Sequence, residues 1–290
     1  MNDGRLMGLN KLMSFVELVK FEHTIFALPF AYLGAILACG GIPSLYYWIW
    51  ITLAMVGART AGMALNRLID RYIDAKNPRT QMRALPKGLI PLRQAWLLVC
   101  GSFILLLFSA YKLNPLCLIL SPFAVAMLVI YSYLKRWTWL SHLGLGLVLA
   151  CAPIGGWMAI QERLDIIPLL LGLGVLFWVT GFDIIYGTQD VDFDRQSGLY
   201  SIPQSFGIAH ALITSRFFHI FTIVALLMIG VLDNLGLYYW FGVITTTILL
   251  VYEHRLVSPT DLSRVNQAFF TINGWISVGL FGFTVADVVW

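Results

Sequence analysis

The sequence predicts an all-α integral membrane protein with nine transmembrane helices, and two observations carry this prediction. Charged residues make up 12% of the chain, and 59% of its residues are hydrophobic, with a mean hydropathy of +0.80. An ordinary soluble domain contains about 25% charged residues and could not cover its surface with so few. The apolar residues also occur in repeated runs of about 18 to 25 residues, the length that a helix needs to cross a bilayer.

Nine apolar segments follow one another along the chain, and we expect residues 1–290 to form a single membrane domain. Their approximate bounds are 22–40, 43–65, 93–111, 115–134, 140–160, 166–184, 210–231, 235–253 and 267–289. The first twenty residues mix polar and apolar side chains and are predicted to lie as a helix on the membrane surface. Most connections are short turns such as Asn114-Pro115, but two, at about 66–92 and 185–209, are long.

Lys and Arg residues are distributed unevenly between the two predicted sides of the membrane. Sixteen belong to the N-terminus and to the side that carries both long connections, whereas the opposite side has only Lys112 and Arg163, and Arg59 lies within the second predicted span. Cytoplasmic loops carry an excess of Lys and Arg. We therefore expect the N-terminus and both long connections of this multi-pass protein to lie in the cytoplasm. The membrane itself is expected to be a bacterial inner membrane.

The two long connections carry matched acidic motifs. Asp70 and Asp74 stand four residues apart in the first, and Asp190 and Asp194 stand four apart in the second. Residues i and i+4 share one helix face, so each pair can direct its oxygens to one point. Carboxylates this close to a bilayer are costly unless they are paired or bind a cation. Solvated helix ends are the alternative, but the repetition of the motif favours one shared functional site.

The side chains of these loops are typical of a Mg²⁺ and diphosphate site. Mg²⁺ is usually shared between one or two carboxylates and substrate phosphates, and neither loop contains the Cys or His that softer metals prefer. Arg and Lys bind phosphate oxygens, although a general cytoplasmic excess of cations explains some of those present. The basic residues on this side include Arg71, Arg79, Arg83, Lys87, Lys135, Arg136 and Arg195.

An apolar bundle that handles a diphosphate at a membrane surface indicates an enzyme acting on a lipid diphosphate. Departure of the diphosphate would leave an allylic carbocation, while metal and cations stabilise the leaving group. A cavity without water keeps the cation from being quenched, and aromatic rings stabilise it through their π faces. Among the rings we assign only Tyr186 a site role, because it takes the position in the second motif that Asn66 takes in the first.

Three motifs resemble signatures of the UbiA superfamily of intramembrane prenyltransferases. The first is Asn66-x-x-x-Asp70-x-x-x-Asp74, followed by Arg79-Thr80-x-x-Arg83. The second is Asp183-x-x-Tyr186-x-x-x-Asp190-x-x-x-Asp194. The third is Tyr131-Ser132-x-x-Lys135-Arg136-x-Thr138, which is similar to the middle cytoplasmic loop of the family. The resemblance extends over nearly the whole chain.

The resemblance implies a bundle around a central cavity that opens to the membrane for a prenyl tail. It also implies two Mg²⁺ ions on the two sides of the diphosphate, held through Asn66, Asp70, Asp74, Asp190 and Asp194. Contacts to the diphosphate or to the acceptor are then expected from Arg71, Arg83, Lys135 and Arg136. Lys20 becomes a candidate for binding the carboxylate of the acceptor. Catalytic roles are expected for Tyr186 and for Asp183, the latter as the group that takes the ring proton.

Within the family, the sequence is most similar to the 4-hydroxybenzoate polyprenyltransferase branch, which joins a polyprenyl chain to an aromatic hydroxy acid in quinone biosynthesis. It departs from that branch at Arg67, where many members have Asp, and in the stretch Arg83-Ala84-Leu85-Pro86-Lys87. The second departure resembles members of a menaquinone route whose acceptor is a hydroxynaphthoate, so the acceptor stays open. A cation or metabolite transporter is the alternative from another class, but transport sites favour charges near the bilayer midplane. Neither a nucleic acid nor an obligate protein partner is expected.

Overall fold

The computed structural model describes Leu18 and residues 24–290. Lys20 and most of the predicted surface helix therefore lie outside the described residues. The described part contains α-helices, two short helical turns of other types and no β-strand. The α-helices are α1 Thr24–Cys39, α2 Leu45–Lys76, α3 Leu92–Leu113, α4 Pro115–Leu134, α5 Ser141–Gln161, α6 Ile166–Gly187, α7 Val191–Ser197, α8 Ile202–Phe206, α9 Ile208–Leu232, α10 Leu237–Arg255 and α11 Asn273–Val289. A 3₁₀ turn at Thr188–Asp190 joins α6 to α7, and a π-helical turn at Gln267–Ile272 precedes α11.

Seven helical stretches in the described part of the chain are long and apolar enough to cross a membrane. They comprise α2, α3, α4, α5, α6 with its continuation into α7, α9, and α11 with its π turn. Each of the nine predicted segments corresponds to a helix, but α1 and α10 do not join the seven. The described part of α1 has 16 residues, and α10 contains three threonines and ends in Glu253, His254 and Arg255. The all-helical membrane fold is confirmed, whereas the count of nine spans and the cytoplasmic N-terminus stay predictions.

The helices pack closely where small residues face each other. In the bundle α1 packs on α5, α5 and α9 pack on α6, and α2 packs on α3. A Cβ atom added to Gly34 would lie 2.1 Å from the Pro153 carbonyl oxygen, and one added to Gly156 would lie 2.0 Å from that of Ala31. Helices in a membrane gain little from burying apolar surface against each other. Van der Waals contact at such small residues therefore contributes much of the stability of their association.

Both acidic motifs lie on helical extensions of membrane spans rather than in irregular loops. The sequence predicted that the second span ends near residue 65, but α2 continues without interruption to Lys76. Its last three turns carry Asn66, Asp70 and Asp74 on one face, as the four-residue spacing requires. Asp190 ends the 3₁₀ turn that follows α6, and Asp194 lies in α7.

Candidate active site

A cavity of about 200 Å³ lies at the end of the bundle where α2, α6 and the α4–α5 connection meet. Its lining combines residues that are more than 100 positions apart in the chain. Of the residues that the sequence predicted for the site, it includes Asn66, Asp70, Asp74, Arg83, Lys135, Asp183, Tyr186, Asp190 and Asp194. The packing of the two halves of the chain thus brings both acidic motifs to one place.

The carboxylate of Asp70 is buried and receives two cations from the α4–α5 connection. Arg136 donates from Nη2 to Oδ1 at 2.7 Å and also to the carbonyl oxygen of Ile69 at 3.1 Å. Lys135 forms an ion pair with the other carboxylate oxygen. Since Asp70 is only 2% exposed, this pairing compensates a charge that would otherwise be costly to bury. Arg136 does not itself line the cavity and reaches the site through Asp70.

Asp74, one helical turn further along α2, is paired with a residue of the connection between α2 and α3. Arg83 donates from Nη1 to both carboxylate oxygens, at 2.9 and 2.8 Å. The Thr80 hydroxyl donates to the backbone carbonyl of Asp74 at 3.0 Å. These bonds fold the segment after α2 back over the cavity, so that Arg83 lies in its wall.

Asp190 binds two residues of the connection after α2, although it belongs to the other half of the chain. Arg79 donates from Nε to Oδ1 at 3.0 Å and forms an ion pair through Nη2, and the Asn77 amide donates to Oδ1 at 3.0 Å. Burial lowers the pKa of Arg79, but the hydrogen bond and charge of Asp190 outweigh it and raise that pKa. Sequence reasoning counted Arg79 among the basic residues without assigning it a contact, and it missed Asn77.

Arg79 also links Asp190 to the predicted catalytic tyrosine. Its Nη1 donates to the Tyr186 hydroxyl at 3.0 Å, and its guanidinium carbon lies 5.2 Å from the centre of the Tyr186 ring. The same ring packs on Phe269, at a centroid distance of 4.1 Å. Tyr186 is therefore held in the cavity wall by contacts with a cation and an aromatic ring.

Two further side chains of the site escaped sequence reasoning. His142 lines the cavity and binds Asp183, with 2.7 Å between Nδ1 and Oδ2, while its buried Nε2 has no hydrogen-bond partner among the described residues. Arg59, in the membrane-embedded part of α2, has a buried Nε that is equally unpartnered within the described chain. Arg59 does not itself line the cavity, whereas Tyr131 does. Arg59 was noticed only as a cation within a span, and no sequence pattern marked His142.

Comparison with known proteins identifies the family. Residues 27–275 match the model of the UbiA prenyltransferase family. The chain belongs to this family. Membership confirms the predicted resemblance and the prediction that the protein is an enzyme, an aromatic prenyltransferase of membranes. It also removes the support for the transporter alternative.

Similar proteins extend over almost the full length of the chain. The 4-hydroxybenzoate octaprenyltransferase of Photobacterium profundum is 29% identical, over 92% of this chain and 94% of the relative. That of Pseudoalteromonas translucida is 31% identical, over 92% of both chains. The apo structure of a UbiA homolog from Aeropyrum pernix K1 has a TM-score of 0.84 at 35% identity, over 92% of this chain and 98% of that one. A UbiA homolog from Archaeoglobus fulgidus, bound to GPP and Mg²⁺, shares the fold, with a TM-score of 0.75 at 21% identity over 96% and 100% of the two chains.

Of the predicted contacts of the UbiA site, Arg71, like Arg136, does not line the cavity. Arg71 donates from Nη1 to the Leu68 carbonyl at 2.9 Å, and its guanidinium carbon lies 4.2 Å from the centre of the Tyr72 ring. It follows Asp70 directly, so the helix turns its side chain about 100° away from the cavity. The role of Arg71 as a substrate contact stays a prediction. Lys20 lies outside the described residues, and its role stays a prediction.

The donor set of the cavity fits Mg²⁺, because carboxylate oxygens dominate it and Cys is absent from its lining. Between residues 24 and 290, no three Asp, Glu, His or Cys side chains approach closely enough to hold a metal ion by themselves. Asp70, Asp74 and Asp190 are instead paired with basic residues. Such an arrangement suits an ion whose coordination is completed by substrate phosphates and water.

Proposed function

We propose that this protein transfers a polyprenyl group from a polyprenyl diphosphate to an aromatic hydroxy acid, 4-hydroxybenzoate, with Mg²⁺ as its cofactor. The observation that carries the proposal is the convergence of four acidic motif residues and three cations on one cavity. The acidic residues are Asp70, Asp74, Asp190 and Asp194, and the cations are Arg79, Arg83 and Lys135. Support for the acceptor comes from the relatives named 4-hydroxybenzoate octaprenyltransferase at about 30% identity.

The residues of the cavity divide the work of binding a diphosphate. Asn66 and the four motif carboxylates provide the oxygen atoms for the metal, which when bound neutralises charge on the leaving group. Arg79 and Arg83 present planar guanidinium groups that can bind phosphate oxygens bidentately, and Lys135 adds a point charge. Binding of metal and substrate exchanges the present ion pairs for new ones, so no charge is left buried without a partner.

The carbocation formed on diphosphate departure needs protection on the membrane side of the site. The ring of Tyr186, packed on Phe269, offers a π face to it. Apolar side chains of the bundle exclude water, which would otherwise trap the cation as an alcohol. The aromatic acceptor then attacks through the ring carbon next to its hydroxyl group.

Arg59 is the residue that favours an acidic acceptor. An arginine inside a membrane span is costly unless it is paired or functional, and its Nε has no partner among the described residues. It lies seven residues before Asn66, which places it on the same face of α2 and about 10 Å deeper in the bundle. We propose that Arg59 binds the carboxylate of the aromatic acid. A hydroxynaphthoate, the alternative acceptor, carries the same carboxylate and hydroxyl groups.

The acceptor is tested by incubating the purified enzyme with a polyprenyl diphosphate, Mg²⁺ and an equimolar mixture of 4-hydroxybenzoate and 1,4-dihydroxy-2-naphthoate. Mass spectrometry should detect prenylated 4-hydroxybenzoate as the main product. If only the naphthoate is prenylated, the proposed acceptor is wrong but the proposed prenyl-transfer reaction stands. Chelation with EDTA should abolish the reaction and added Mg²⁺ should restore it.

The metal assignment is tested with Asp70→Ala and Asp190→Ala. Each should lower prenyl transfer by about 100-fold or more, the loss seen when a group stabilising transition-state charge is removed. Asp192→Ala is the matched control, because Asp192 lies in the same loop but is exposed and does not line the 200 Å³ cavity. Near-normal activity in both folded site variants would contradict the proposal.

For the membrane, we propose the inner membrane of a bacterial cell with the cavity facing the cytoplasm. The excess of Lys and Arg on the side of both acidic motifs supports this orientation. Labelling of single cysteines introduced at exposed positions 87 and 112 of inverted and right-side-out vesicles tests it. Position 87 should be labelled from the cytoplasmic side and position 112 from the opposite side.

A further inference from the structure

We propose that His142 is the base that takes the proton from the acceptor ring, and that Asp183 is the residue that positions it. The inference rests on the proposed transfer to an aromatic ring. It changes the role predicted for Asp183, which the sequence marked as the proton acceptor itself.

The hydrogen bond between the two residues determines which nitrogen of His142 is free. Nδ1 lies 2.7 Å from Oδ2 of Asp183, and an ionised carboxylate can only accept a hydrogen bond. Nδ1 therefore carries the proton in the neutral imidazole, and Nε2 keeps its lone pair. Nε2 is buried and has no hydrogen-bond partner in the described part of the chain. A buried acceptor without a donor is what a resting general base requires.

Gly187 packs directly against the imidazole edge that carries this nitrogen. His142 and Gly187 both belong to the cavity wall. A Cβ atom at position 187 would lie 2.9 Å from Cε1 of His142 and 3.5 Å from its Nε2. Glycine at position 187 thus allows His142 to keep its place in the cavity wall, where any larger residue would collide with the imidazole.

The proposed acceptor pose brings its ring to the same region. Tyr131, His142 and Asp183 all line the same cavity. An aromatic acid whose ring occupies this cavity therefore lies beside Asp183 and His142. Asp183 binds the Nδ1 side of the imidazole through its Oδ2 and so orients the ring of His142.

The electrons and protons of the step balance without a further reactant. The diphosphate leaves with the electron pair of the carbon–oxygen bond, and π electrons of the acceptor ring form the new carbon–carbon bond. The Nε2 lone pair of His142 takes the proton from that ring carbon, and the carbon–hydrogen electron pair restores the aromatic ring. The resulting imidazolium is stabilised by the Asp183 carboxylate and then passes its proton to solvent or to the released diphosphate.

A deuterium isotope effect tests this assignment. The acceptor is 4-hydroxybenzoate deuterated at both carbons next to the hydroxyl, compared with the unlabelled acid in single-turnover experiments. His142→Gln should slow product formation by about 100-fold or more and should increase the isotope effect above that of the wild type, because ring deprotonation becomes limiting. Glutamine keeps a donor for Asp183 but cannot accept the proton.

Two further variants separate a base from a structural residue. Asp183→Asn should reduce the rate less than His142→Gln, and the double variant should be no slower than His142→Gln alone, because the two residues act as a unit. His219→Gln is the control, since His219 is a buried, hydrogen-bonded histidine that does not line the cavity. Its isotope effect should equal that of the wild type.

An unchanged isotope effect in folded His142→Gln would overturn the inference. The inference would also be overturned if the isotope effect increased in Asp183→Asn and not in His142→Gln, because Asp183 would then be the base. If the wild type prenylates a different aromatic acid, the same measurement applies to the ring-deuterated form of that acid. A wild type that prenylates no aromatic ring would overturn the proposed function and this inference together.

Discussion

Arg79 holds the carboxylate of Asp190 across 111 positions of the chain, with its Nε 3.0 Å from Oδ1. The contact joins the connection after α2 to the turn after α6, and hence the two acidic motifs to each other. The same guanidinium donates to the Tyr186 hydroxyl. One cation therefore contacts a proposed metal ligand and a proposed carbocation-stabilising ring, and it lies where the diphosphate is expected.

Replacement of this cation should weaken diphosphate binding selectively. We expect Arg79→Gln to raise KM for the polyprenyl diphosphate by about 10- to 100-fold, because a hydrogen bond to a charged group contributes about 1.5–3 kcal/mol. KM for the aromatic acid should change little. Steady-state kinetics with each substrate varied in turn provide the measurement.

The control for Arg79 is Arg195→Gln, which removes an exposed cation from the loop that carries Asp190 and Asp194. It tests whether general positive charge on this face attracts the substrate. Equal effects of the two substitutions would contradict a specific role for Arg79.

Substitution of Arg59 should instead affect the acceptor. The wild type is expected to prefer 4-hydroxybenzoate over the uncharged 4-hydroxybenzamide, and Arg59→Gln should reduce this preference by about 10- to 100-fold, the contribution of one charged hydrogen bond. The ratio of kcat/KM values for the two acceptors measures it. Lys112→Gln, at the predicted opposite side of the membrane, should leave the ratio unchanged. If the preference persists in Arg59→Gln, a residue other than Arg59 binds the carboxylate of the acceptor.

The close contact of α1 with α5 gives a prediction about stability. Gly156→Ala should destabilise the protein by about 1–3 kcal/mol, because its methyl group would overlap the Ala31 carbonyl and force the helices apart. Gly155→Ala is a matched control one residue away, where an added Cβ meets no atom within 4 Å. Thermal unfolding in detergent, followed by the fraction that stays soluble, compares the two. Equal melting temperatures for both variants would contradict the packing argument.

Much of the architecture followed from local features of the sequence. Runs of apolar residues predicted the helical segments, since spanning length and hydropathy are properties of consecutive residues. The spacing of Asp70 and Asp74 predicted their common face, because helical geometry relates residues four apart wherever they occur. The end of α2 was placed too early, since polar residues mark where a helix leaves the hydrocarbon region but do not terminate it.

Only the tertiary structure determined the contacts between helices that are distant in sequence. His142 was an unremarked residue near the start of an apolar segment, and only the packing of α5 on α6 places it against Asp183. Asn77 and Arg79 became partners of Asp190 in the same way. Arg71, although part of the first motif, donates to the Leu68 carbonyl and does not line the cavity. Local periodicity determines which residues share a face, whereas the partner that each face meets depends on how the whole bundle closes.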